Sequence, residues 1–126
     1  MAELLDQAAP ALVHAWISKP PSWLNPMNLT VPADPELGYL GSGEREAIQM
    51  SAVLKADLLL IDERKGRLEA RRRGLRTTGT LGVLLTAGSM KLIDAEGAYR
   101  RLVSETSFRT SESLETDFIS RLRSSQ

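Results

Sequence analysis

An apolar run, LLLI at 58–61, stops abruptly at Asp62 and Glu63. A short basic stretch follows, then a second short segment that closes on Thr78-Gly79-Thr80. An uninterrupted apolar run bounded by charge predicts a strand covered on both faces, as in a parallel sheet. Residues 66–73 predict a short helix stopped by Gly74, and residues 75–78 a second strand. Strand, helix, strand in that order is a βαβ unit, whose crossover is right-handed. The order also sets a carboxylate, Asp62, at the carboxyl end of a strand, which is where ligands bind in open α/β sheets.

The chain has 126 residues, a length that suits one domain with one core. It has no cysteine, so disulfides and thiolate metal sites are excluded. No apolar run approaches the ~18 residues of a membrane span. Glu3 and Asp6 stand where a signal peptide needs basic residues. These features lead to the expectation of a soluble, cytoplasmic chain with no membrane partner. Sixteen basic residues balance sixteen acidic ones, so no global field draws the molecule to nucleic acid. Locally, Arg64, Lys65, Arg67, Arg71, Arg72, Arg73 and Arg76 crowd behind Asp62. Aromatic residues are too few for a platform on which successive bases stack.

Elsewhere the pattern is mainly helical. A helix is expected from about Pro10 to Ser18, and a proline-rich loop over 19–35 with a short extended piece at 28–31. Residues 43–54 predict a helix with Ser42 as its cap and Ala47, Ile48, Ser51 and Leu54 inward. Further helices are expected over 80–87, over 95–105 behind Asp94 with Ala98, Leu102 and Val103 inward, and from Ser111 with Leu114, Phe118 and Leu122 inward.

Few residues are placed to do chemistry. Glu44 shares a helix face with Ile48 and Ser51, and a charge there needs either solvent or a partner. Asp62 reads as a site carboxylate or as a turn and cap residue. Glu63 reads as an i,i+4 partner of Arg67. Glu44 and Asp62 together suit Mg2+ or Mn2+, which take oxygen donors and act on phosphodiesters. Thr80 opens a helix and so reads as a cap or as a phosphate contact. Arg64, Arg67 and Arg71 could track a nucleic-acid backbone, or could belong to a solvated helix face with Glu69 pairing to Arg73. His14 stands alone and supports no nucleophilic triad.

The segments GEREAI (43–48), LLIDERKGR (59–67) and GLRTTGTLGVLL (74–85), with SFRTSESL (107–114) and PALVHAWISKPPSWL (10–24), resemble a subgroup of PIN-domain proteins. The resemblance covers most of the chain and implies a three-layer α/β fold, with a small parallel sheet flanked by helices. It implies an acidic pocket containing Glu44 and Asp62, with Glu3 as a third acid and Thr80 near the rim. It also implies Mg2+- or Mn2+-dependent hydrolysis of RNA, as in toxins held by an antitoxin partner. Against the family pattern, the chain begins beyond the first central strand and its terminal aspartate. The expectation is therefore an N-terminally truncated domain, weak or inactive alone, whose open sheet edges favour self-association or a scaffold role.

Overall fold

The computed structural model describes residues 6–125. The chain divides into two compact units, Met1–Pro32 and Ala33–Gln126.

In the first unit, helix α1 (Ala11–Ser18) starts directly after Pro10, whose carbonyl accepts the His14 N–H at 3.0 Å. Proline has no N–H to place in a preceding turn, so the helix starts behind it rather than running through it. Trp16 and Trp23 approach with ring centroids 6.2 Å apart, and Ile17 is the buried residue of α1. Residues 28–31 form no strand. Glu3 lies outside the described residues.

The second unit opens with a 3-10 turn, Pro35–Leu37, whose Glu36 N–H is capped by Asp34 at 2.9 Å. Helix α2 (Ser42–Leu54) begins behind Gly41, so Ser42 is its first residue and not its cap. Ile48 and Ser51 face inward, whereas Leu54 is half exposed. Strands β1 (Leu59–Leu60) and β2 (Thr77–Thr78) pair in parallel, Leu59 opposite Thr77 and Leu60 opposite Thr78. Helix α3 (Arg64–Arg72) joins them. It begins two residues earlier than its sequence suggests, because Glu63 caps it by accepting the Gly66 N–H at 3.0 Å. Glu63 is therefore a cap instead of a partner for Arg67. Gly74, at φ 82°, takes the left-handed turn that ends this segment.

The apolar run is not covered on both faces. Leu59 and Ile61 are buried, while Leu58 and Leu60 are 52% and 62% exposed. The run thus alternates like a strand with a single packed face. That face packs with Leu37, Leu40, Ile48 and Ala70, and partly with Ala47 and Leu75. Leu37 and Ile48 are fully buried, each worth about 1.5–3 kcal/mol of transfer free energy.

Helices α4 (Thr80–Ser89), α5 (Ala95–Glu105) and α6 (Glu112–Ser124) pack on one another around a second apolar cluster. Its centre is Ala95, Tyr99 and Phe118, with Leu81, Leu84, Leu85, Val103, Ile119 and Leu122 around it. Asp94 and Ser111 cap α5 and α6 as expected. On α5, however, the fully buried positions are Ala95 and Tyr99, with Ala98, Leu102 and Val103 only half-buried. A buried phenol is tolerated because Tyr99 Oη donates to Glu115 at 2.9 Å.

Candidate functional site

The side chain of Asp62 leaves the carboxyl end of β1 and reaches the first residue of α4. Its Oδ1 accepts the Thr80 N–H at 2.7 Å, and its Oδ2 accepts the Thr80 hydroxyl at 2.5 Å. The aspartate therefore caps a helix, but a helix eighteen positions away instead of the one that follows it. The helix dipole favours a carboxylate there. Gly79 makes the approach feasible, since a Cβ at that position would lie 2.5 Å from Asp62 Oδ1.

Glu44 is in the first turn of α2 and is half-buried. Its carboxylate folds back over Gly41, and its Cγ lies next to Gly66 in the first turn of α3. Gly66 is itself hemmed in by the Ile61 side chain. Glu44 thus lies against the first turns of two helices, its carboxylate at α2 and its Cγ at α3. Among the described residues, no three or more His, Asp and Glu side chains gather into a group that could hold a metal ion.

Asp62 opens onto a cleft of about 360 Å³. Arginines from three places in the chain line it: Arg67 and Arg71 on α3, Arg109 before α6, and Arg121 on α6. Leu81, Leu85, Phe108 and Leu114 give it apolar walls. Arg71 is steadied by donating from Nε to Thr77 Oγ1 at 3.0 Å, and Arg67 reaches the Asp62 carbonyl at 3.4 Å. Arg121 pairs with Asp117 at 3.0 Å. Arg64 is exposed and does not line the cleft, while Thr80 touches it only through Asp62. Of the residues singled out from the sequence, Asp62, Arg67 and Arg71 line the cleft and Glu44 and Arg64 do not; Arg109 and Arg121, which carry no local signal, reach it through tertiary packing.

The rest of the basic run does something different. Glu69 is nearly buried and is held by Arg72 at 2.6 Å and by Arg73 at 3.0 Å. Arg73 extends to Asp34 at 2.9 Å, tying the 3-10 turn to α3. The Arg72 hydrogen bond, seconded by Arg73 and Tyr39, outweighs burial and draws the Glu69 carboxyl down to about 2. Asp34 is lowered as well, first by the Glu36 N–H and then by Arg73.

No helix among the described residues is long and apolar enough to cross a membrane. A family model described as PIN domain matches residues 3–124. No curated protein and no solved structure matches the chain.

Proposed function

Since this chain belongs to the PIN-domain family, with the mixed α/β fold that goes with it, we propose that it is a ribonuclease of the metal-dependent PIN type. The family is one of nucleases that generally depend on divalent metal. One observation carries the reading: Asp62 stands at the carboxyl end of a parallel strand, at the mouth of a cleft lined by four arginines. Guanidinium groups in that arrangement suit a phosphate backbone, which they grip by charge and by paired N–H donors.

The donor chemistry fits Mg2+ or Mn2+. Asp62 and Glu44 are hard oxygen donors, and Mg2+ commonly uses one or two carboxylates and keeps water elsewhere. Asp62 would hold the ion from the cleft, with Glu44, which does not line the cleft, and Glu3 as the further acids of this reading. When bound, such an ion polarises a phosphoryl oxygen and makes water a better nucleophile. Thr80 orients Asp62, Gly79 leaves room for it, and Arg67 and Arg71 draw the substrate toward the same rim. A toxin-type role, with an antitoxin-like protein as partner, belongs to this reading.

A second reading is a non-catalytic scaffold that binds a partner protein or a second copy of itself. Two observations favour it: both Asp62 oxygens are already bonded to Thr80, and Leu60 stands exposed on a two-stranded sheet.

Asp62→Asn separates the two. An asparagine oxygen still accepts the Thr80 N–H, so folding is retained while the charge is lost. The nuclease reading predicts Mg2+- or Mn2+-dependent cleavage of RNA by the wild type, lower by about 100-fold or more in the variant. No cleavage by the wild type, or no Mn2+ binding together with a stable dimer in sedimentation, would leave the scaffold, and equal cleavage by both proteins would remove Asp62 from the metal site.

A further inference from the structure

Phe108 has no role in either apolar cluster, yet it lines the cleft and is only half-buried. Leu114 lines the same cleft and is 48% exposed, although its helical spacing from Phe118 and Leu122 would turn it inward. Arg109 follows Phe108 in the chain and lines the cleft with it. An aromatic ring, an apolar neighbour and a guanidinium therefore share one recess. The backbone is fixed there, because the Phe108 N–H donates to Thr106 Oγ1 at 3.1 Å.

We propose that Phe108 and Leu114 form a subsite for a single nucleobase, whose adjoining phosphate is held by Arg109. The inference rests on the nucleic-acid reading above and adds to it a named base-contacting residue. Three observations select this occupant. First, among the described residues Arg67, Arg71 and Arg109 make no ion pair with a carboxylate, whereas Arg121 is paired with Asp117. The cleft thus retains positive charge for a phosphate. Second, about 360 Å³ lies at the small end of the range for ligand pockets and accommodates one nucleotide. Third, an aromatic face stacks with any base, so a single ring beside a guanidinium supplies affinity without hydrogen-bond readout. One ring is not a platform for successive bases, in keeping with the low aromatic content. Recognition here is of a base as such, not of a base sequence.

The test compares two oligonucleotides of equal charge. One is a labelled adenosine hexamer of RNA, and the other has the same backbone with every base removed. Both are titrated by fluorescence anisotropy in EDTA, so that neither is cleaved. The wild type is expected to bind the base-bearing strand about tenfold more tightly than the abasic one. Phe108→Ala should bring that ratio close to one while leaving abasic binding unchanged, and Phe108→Trp should preserve it. Arg109→Ala should weaken both strands alike. Should Phe108→Ala unfold, Phe108→Leu keeps the apolar volume without the ring and is expected to lose the same ratio. A ratio unaltered in the folded Phe108 variants overturns the subsite and leaves the nuclease reading standing. Failure of the wild type to bind either strand overturns both.

Discussion

Two faces of one nine-residue helix put the same side chain to opposite uses. On one face of α3, Arg72 and the C-cap residue Arg73 close around Glu69, and Arg73 goes on to Asp34. On the other, Arg67 and Arg71 stand one helical turn apart and line a cleft with Arg109 and Arg121. The difference lies in the partners supplied by the rest of the chain. Where the fold brings carboxylates to arginine, the charge is spent on holding a loop. Where it brings other arginines, only Arg121 finds a carboxylate, and the cleft keeps positive charge that an anionic ligand would relieve. A basic run in a sequence is therefore not one patch, and its members cannot be assigned a common role.

Glu69 is where the two faces differ most in what they contribute to stability. Glu69→Gln removes the charge that gathers Arg72, Arg73 and Tyr39; Arg72, 64% exposed, is taken up by solvent, while Arg73, a quarter exposed, loses one of its carboxylates and keeps Asp34. A fall in melting temperature of about 5 °C at neutral pH is expected. The pH dependence follows from the same group. Its folded-state pKa, about 2, is depressed below its ordinary 4.5, so its stabilisation is complete above the ordinary value and is lost as pH falls toward 2. Asp34 acts in the same sense. Acid titration of the melting temperature should therefore be steeper between those two pH values in the wild type than in Glu69→Gln. Parallel curves would mean that Glu69 contributes no linked stability.

The cleft face should respond in the reverse way. Arg71→Ala, Arg109→Ala and the double variant should melt within a few degrees of the wild type. Each single variant should reduce the salt dependence of RNA binding by roughly one phosphate contact, a change of about 0.7 in the logarithmic slope on a single strand, and the double variant by about twice that. Arg72→Ala is the control from the opposite face: it should lower the melting temperature and leave the salt slope alone. If Arg72→Ala also changed the slope, the division between the two faces would be wrong.

How much of this was legible beforehand depends on the distance over which each feature is decided. The strand, the Gly74 stop and the caps at Asp94 and Ser111 were readable because the groups that decide them lie within a few residues. Asp62 was located correctly at the strand end. Its partner was not, because Thr80 lies across a βαβ crossover and nothing in the intervening segment encodes the contact. The sorting of the arginines was equally hidden: Asp34 is 39 positions from Arg73, and Arg109 reaches the cleft only through packing of the second apolar cluster. The LLLI run misled for a complementary reason. Composition can show that a strand tolerates burial on both faces, but only the count of neighbouring layers shows whether both are covered. Leu60 and Leu114 are apolar residues at sites the fold leaves open.

The smallest expected effect bears on the junction between the cleft and the sheet. Gly79 has an extended backbone, at φ −123°, so an alanine there meets no torsional penalty and restricts the unfolded chain. By that argument alone Gly79→Ala would stabilise by about 0.4–1 kcal/mol. The Asp62 oxygen at 2.5 Å from the added methyl opposes it, since the carboxylate must withdraw from the Thr80 N–H and hydroxyl. Loss of a helix cap costs about 0.5–2 kcal/mol and exceeds the entropic gain. A net destabilisation of about 0.5 kcal/mol is thus expected from denaturant titration, and it should disappear when the substitution is made on an Asp62→Ala background, where no carboxylate remains to be displaced. Persistence of the loss on that background would place its origin in the α4 backbone instead of in the Asp62 to Thr80 link, and the rim acid would then need some other anchor.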